Sequence, residues 1–253
     1  MWQAQDYPAD KRFLVIVDDG GTFDSQREQA EGKPDNWVLV SKAERFPSLP
    51  AKYNYLLEFA LSIFARQIDA FVVWEDDDVY FPGYLSAHAA ALAQQRLSKP
   101  TQVLTDHRAP IPRVLAMIPG RGCFHSSLAF RRDLIEEVGG WPKTDRADFD
   151  LQQIASLSKA SGAVADPWNC NPRDRSTWQR CQYVYCWHTG AAHAQWAMRH
   201  RPDGTEWYKL AEQLYAEVPH IGTLRPQSDG RVENYTEQFV SWRAAPAALQ
   251  VKE

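Results

Sequence analysis

A chain of 253 residues with 44% apolar side chains can bury one large core or two modest ones. Its 28 basic and 32 acidic residues leave a mild formal charge of −4, which argues against tight nonspecific nucleic-acid binding, since that needs a dense basic surface, but not against a local basic groove. No segment approaches the roughly 18 uninterrupted apolar residues of a membrane span. Met1–Asp6 carries neither a basic nor an apolar leader, so the expected compartment is the cytoplasm.

In chain order, Arg12–Val17 is predicted as a strand that ends in the turn Asp18-Asp19-Gly20-Gly21. Trp37–Val40 is a second strand. Pro50–Gln67 is a helix whose apolar residues surround much of its axis, so it is expected to be well buried. The apolar run Ala70–Trp74 is a buried strand, followed by a helix opened by Pro82. Arg113–Ile118 is a strand. Arg131–Val138 is a helix stopped by Gly139-Gly140. Asp148 or Asp150 starts the next helix, which runs to about Ala160. Val184–Trp187 is a strand, and Thr205–Ala216 is helical. The alternation predicts a single α/β domain with a largely parallel sheet and flanking helices. Residues 1–165 are its core, and residues 166–253 are the acceptor-side and C-terminal part of the same domain.

The four cysteines, Cys123, Cys170, Cys181 and Cys186, form no C-x-x-C pair, so reduced, partly buried thiols are expected. A distorted Cys/His site at Cys170, Cys181, Cys186 and His188 is the lesser alternative.

Trp74-Glu75-Asp76-Asp77-Asp78-Val79-Tyr80 is the most informative stretch. Four adjacent carboxylates repel one another. At the C-terminal end of a core strand they occupy the place where open α/β sheets bind ligands. A divalent cation would offset the repulsion, and oxygen ligands favour Mn²⁺ or Mg²⁺.

Five segments together resemble the GT-A fold glycosyltransferases of the inverting family 2 type, over about residues 12–190. They are Val15–Gly21, Lys52-Tyr53-Asn54, Trp74–Tyr80, Phe130–Pro142 and Ala147–Leu151, and they fall in the family's order. Tyr53 departs from the K-R-N pattern, and Ala147 replaces the usual acid of E-D-x-D-L. Such enzymes begin with a further strand before the D-D-G turn, so this sheet is expected to lack its usual first strand, unless a partner chain or another copy completes it or the recorded start is internal.

The resemblance implies a Rossmann-like core and a metal-dependent transfer from a nucleotide sugar, UDP-linked by expectation, to a hydroxyl acceptor. It makes Asp77 the first metal ligand, with Asp76 the second candidate, and Glu75 a contact to ribose or metal-bound water. His188 would be the late metal-ligating histidine, with His193 its substitute. Asp19, Lys52 and Asn54 fall on the donor side. Asp148 becomes the general base, with Asp150 second. Asp78 would face a sugar or cap the helix after Pro82. Trp141 is expected to be exposed by its turn and to stack on the acceptor, and Arg121 would join it.

The acceptor class stays open: a glycan, a lipid-linked sugar, a small molecule or a hydroxymethylated DNA base. For the last, Arg173, Arg175 and Arg180 beside Trp168 and Trp178 would supply phosphate contacts and stacking. Two alternatives compete: a catalytically inactive nucleotide- or glycan-binding protein, and a nucleotidyltransferase, although the chain has no Gly-rich phosphate loop after its first strand.

Overall fold

The structure, a computed structural model, describes residues 1–21, 36–64, 67–76, 78–107, 113–120, 124–144, 146, 148–186 and 220–224. The strands are β1 (Leu14–Asp19), β2 (Trp37–Lys42), β3 (Ala70–Val72), β4 (Val79–Tyr80), β5 (Leu97–Ser98), β6 (Gln102–His107), β7 (Arg113–Pro119), β8 (Ala129–Arg131), β9 (Tyr183–Cys186) and β10 (His220–Leu224). The α-helices are α1 (Leu49–Phe64), α2 (Tyr84–Leu92), α3 (Arg132–Val138) and α4 (Phe149–Ser161). The predicted helix over Thr205–Ala216 lies outside the described residues.

The strands form three sheets among the described residues: β1-β2, β10-β7-β6-β9-β4 and β3-β8-β5. The expectation of a largely parallel sheet is corrected. Among the described strands only β1·β2 and β6·β9 pair in parallel, with a lone parallel bridge between Ser98 and Ala165, and the other strand pairings are antiparallel. The pieces that sequence periodicity misses account for this. β5 and β8 are two and three residues long, too short to show a period, and β8 runs against both β3 and β5. β6 carries polar Gln102, Thr105 and Asp106 within its six residues, and it returns directly as β7.

Helix ends follow local chemistry. The Ala51 N–H donates to Ser48 Oγ at the start of α1, one residue before the Lys52 N–H donates to the Ser48 carbonyl. Helix α3 stops where Gly139 turns left-handed at φ 78° and returns its N–H to the Ile135 carbonyl. The expected deep burial of α1 does not hold. Only Pro50 and Ala60 are buried along it, and Leu49 and Ile63 are exposed. The short β1-β2 sheet covers one side of the helix, and Phe13 stacks on Phe64 at 4.5 Å between ring centroids.

Two apolar clusters make the core. One gathers Tyr80, Tyr84, Trp178 and Tyr183, and the other gathers Leu97, Phe130, Leu134, Trp141 and Leu157. The chain crosses between them at consecutive residues. Val73 is buried in the second cluster, and Trp74 packs on the first. The acidic turn therefore begins at the seam between the two clusters, and this crossing positions the site.

The N-terminal segment fastens onto the same region. The buried Gln5 donates from Nε2 to the Phe81 carbonyl at 2.8 Å, and its Oε1 accepts from the Leu85 N–H at 3.1 Å. Trp2 meets Trp74 edge-on, and the Arg12 guanidinium lies 5.0 Å over the Trp2 ring.

Gly140 supplies a stability test. Its φ is +87°, and an added Cβ would lie 2.5 Å from Asn54 Oδ1. Gly140→Ala is expected to destabilise the fold by about 1–3 kcal/mol, measured by urea unfolding. An unchanged midpoint would mean that this turn relaxes freely.

Candidate active site

The acidic turn is closed at its base by aromatic residues. Trp74 stacks on Tyr80 at 4.1 Å with an interplanar angle of 24°, and the Glu75 N–H donates to the Tyr80 hydroxyl at 2.8 Å. Tyr80, Tyr84 and Tyr183 are fully buried. Burial, reinforced by the Asp78 carboxylate, pushes all three phenols well above their ordinary pKa, so they stay protonated donors.

The carboxylates of the turn face different ways. Asp76 is exposed. Asp78 is 2% exposed and accepts from the Tyr183 hydroxyl at 2.6 Å. Expecting Asp78 to face a sugar or acceptor, or to cap α2, is therefore corrected. Its side chain is turned into the core, and Gly83 holds the position before α2. Asp77 lies outside the described residues, as do His188, His193 and Arg121.

Glu75 is held from the side of α1 and the second cluster. The Tyr53 hydroxyl donates to Glu75 Oε1 at 2.6 Å, and His125 Nδ1 lies 3.6 Å from the same oxygen. His125 is 5% exposed, and its Nε2 receives the indole N–H of Trp141 at 2.8 Å. Tyr53 stacks on Trp141 at 5.2 Å and 16°. Phe149 closes this aromatic group, 6.2 Å from Tyr53 and 6.0 Å from His125. Phe149 is also the first residue of α4, so the group links the acidic turn to the helix start that carries Asp148.

Trp141 is corrected from exposed to buried, at 6%. Gly139 and Gly140 both have positive φ, and the turn they make folds the indole inward. Asn54 fixes that turn. Its Oδ1 accepts from the Trp141 N–H at 2.8 Å, and its Nδ2 donates to the Trp141 carbonyl at 3.1 Å. The side-chain amide is thus spent on tying α1 to the Gly-Gly turn.

At the end of β1, Asp19 Oδ1 accepts from the Phe46 N–H at 2.9 Å, and Lys52 Nζ stands 3.9 Å from Asp19 Oδ2. The neighbouring Asp18 is buried and receives the Ser41 hydroxyl. The strand end and the first turn of α1 therefore meet through a carboxylate–ammonium pair that is partly open to solvent.

Asp148 holds the N-cap position of α4, but its side chain does not cap the helix. Both oxygens are taken by Arg146, Nε to Oδ1 at 2.9 Å and Nη2 to Oδ2 at 3.0 Å, and Gln152 Nε2 adds a third bond at 3.0 Å. The Arg146 hydrogen bonds hold this exposed carboxyl below its ordinary pKa. Asp150 is buried, at 5% exposure.

The basic cluster is corrected in one respect. Arg173 and Arg180 are exposed. Trp168 and Trp178, however, are core residues, and their indole N–H groups donate to the carbonyls of Gln102 and Asn171. Neither ring offers a stacking face. Cys170 and Cys181 are buried thiols outside any disulfide, and the neighbouring Cys181 thiol, together with burial, raises the pKa of Cys170.

Among the described residues no group of three His, Cys, Asp or Glu side chains is placed to hold a metal ion. The described part of the turn does fit one chemically. Glu75 and Asp76 supply hard oxygen donors, with Asp76 open to solvent, and such donors suit Mg²⁺ or Mn²⁺.

Sequence reasoning missed Tyr53 and His125. Tyr53 stands out only as a departure from a motif, and His125 lies in no motif. A local signal does exist at Phe124, a non-glycine residue held left-handed at φ 58°. Its carbonyl accepts from the buried Lys99 ammonium at 3.0 Å, which fixes the short turn that delivers His125.

No protein-family model matches the chain, and a search of curated proteins finds no match. Among solved structures, the fold is similar to the crystal structure of S. aureus TarS 1-349, with a TM-score of 0.54 and 13% sequence identity. The likeness covers 73% of this chain and 54% of that one, so the chain spans about half the length of the structure it matches. It is a likeness of fold alone, an α/β arrangement with mixed parallel and antiparallel pairing. No helix among the described residues is long and apolar enough to cross a membrane.

Proposed function

We propose that the chain is a metal-dependent inverting glycosyltransferase acting on a nucleotide sugar, most simply a UDP-sugar, and a hydroxyl acceptor. The observation that carries this reading is the seam between the two clusters. There a carboxylate turn is locked by buried tyrosines and joined, through Tyr53, His125 and Phe149, to the start of the helix bearing Asp148. An ordinary solvated acidic loop has no need of such support. The five motif segments and the fold likeness point the same way.

Asp77 and Asp76, with His188, would hold the metal, and when bound it would neutralise charge on the departing diphosphate. Glu75, Asp19 and Lys52 would contact the nucleotide, Lys52 as a point charge toward phosphate. Asp148 takes the proton of the acceptor hydroxyl as that oxygen bonds to the anomeric carbon. The bond from that carbon to the diphosphate oxygen breaks, and the diphosphate leaves with the electron pair. Attack opposite the leaving group inverts the configuration. Since Arg146 occupies both Asp148 oxygens, the clasp must open or swing aside for the base to act.

That clasp gives a pH prediction. Asp148 works as a base only when ionised, and Arg146 holds its pKa below the ordinary value. Arg146→Gln should let the pKa rise, so activity would be lost at a higher pH on acidification. The acid limb of kcat/KM should therefore move up. A limb that stays in place would separate Arg146 from the base.

The same clasp also favours a second reading, a nucleotide- or glycan-binding protein without turnover, because a carboxylate held by arginine is a poor base. Hydrolysis of several nucleotide sugars, with Mn²⁺ and after chelation, decides. Metal-dependent release of the nucleotide supports the transferase. Binding without hydrolysis or transfer, tested against oligosaccharides, lipid-linked sugars and hydroxymethylated DNA, supports the binding protein.

A further inference from the structure

We propose that His125 is a positioning residue that, together with Tyr53, orients the Glu75 carboxylate for nucleotide binding. This rests on the reading that Glu75 contacts the nucleotide.

The argument begins with hydrogen-bond roles. An indole N–H can only donate, so the His125 Nε2 that receives Trp141 must be an acceptor without a proton. The ring proton then sits on Nδ1. That atom is buried without a hydrogen-bond partner of normal length, and its nearest acidic neighbour is Glu75 Oε1 at 3.6 Å. A buried donor left unmatched is costly, so its direction carries information. A modest swing of the Glu75 side chain would convert the long contact into a bond.

Every part of the support is fixed in turn. Trp141 is held at its backbone by Asn54 and at its ring by Tyr53. The His125 turn is held by Lys99, which reaches both the Phe124 carbonyl and Ser127 Oγ. Tyr53 and His125 both approach the same oxygen, Oε1, so together they set the rotation of the carboxylate about its own axis. Fixing the orientation before binding removes an entropic cost from the complex.

The test is a double-mutant cycle read by calorimetric binding of UDP, GDP, CDP and ADP with Mn²⁺. The nucleotide that wild type binds best is carried forward, and thermal melting checks each variant for folding. His125→Leu should weaken binding about tenfold, the scale of one hydrogen bond to a charged group. His125→Asn keeps an N–H near the Nδ1 position and should stay within about threefold of wild type. In a Glu75→Gln background both substitutions should have little further effect, because the oriented charge is gone.

Equal losses with and without Glu75→Gln, or no loss in either, would overturn the positioning role. If His125→Leu fails to fold, His125→Gln against His125→Asn makes the same comparison, since Gln places its amide near Nε2 instead. Then Gln weaker than Asn supports the role, and the two equal overturns it. If wild type binds no nucleotide, or Glu75→Gln binds as well as wild type, the underlying assignment of Glu75 fails, and this inference fails with it.

Discussion

Asp148→Asn is expected to lower the rate of sugar transfer by about 10²–10⁴-fold, the usual share of a general base, while nucleotide affinity stays near that of wild type. The substitution preserves size, and the amide oxygen can still accept from Arg146 or Gln152, which now share Oδ1. Helix α4 should survive, because the Asp148 side chain does not cap it. The loss would therefore be chemical rather than structural. Asp150 makes the contrast. It is buried one residue into α4, away from solvent, so Asp150→Asn should act on stability first. Should Asp150→Asn be the inactive variant and Asp148→Asn retain turnover, the base lies two residues further on. Single-turnover kinetics beside calorimetric nucleotide binding separates these outcomes.

Asp77→Asn should abolish most metal-dependent turnover and leave the melting temperature nearly unchanged. The turn is held by its flanks, through Trp74 stacked on Tyr80, the Glu75 N–H on the Tyr80 hydroxyl, and Asp78 on Tyr183. Those anchors do not depend on the charge at position 77. Removing that charge should reduce the affinity for Mn²⁺, so nucleotide binding with Mn²⁺ should fall toward its metal-free level. Wild-type transfer that persists through exhaustive chelation would rule out a metal role for the whole acidic run.

Much of the frame was legible because it is written in consecutive residues. Arg12–Val17 and Trp37–Val40 read as strands, each observed to end two residues further along, at Leu14–Asp19 and Trp37–Lys42; the stop of α3 at Gly139 and a start of α4 at Asp148 or Asp150 read from turn and cap chemistry, and the helix begins after Asp148. Sheet pairing was not legible. The antiparallel partners of β8 come from segments about 30 and 60 residues away, and the strands are too short to show a pattern.

The support of the site was hidden for the same reason. Tyr53, Glu75, His125 and Trp141 are distant in sequence and meet only once both clusters are packed. Trp141 shows how a local rule misleads. A tryptophan after two glycines suggests an exposed turn, yet the left-handed glycines turn the ring inward. Trp168 and Trp178 likewise stand near arginines in sequence and yet are buried, one indole N–H donating to the Gln102 carbonyl and the other to the Asn171 carbonyl.

The place of β9 has a consequence for how the chain assembles. β9 lies between β4 and β6, with Val184 opposite both Val79 and Leu104. During synthesis, β4 and β6 leave the ribosome long before the strand that joins them. Until Tyr183–Cys186 emerges, each presents an unpaired edge, and Asp78 lacks the Tyr183 hydroxyl. Closure over about a hundred residues makes this sheet a late and slow event. A chain cut after Ala165 should therefore aggregate rather than yield a smaller folded unit, and the acidic turn should acquire its final shape only in the last stage of folding.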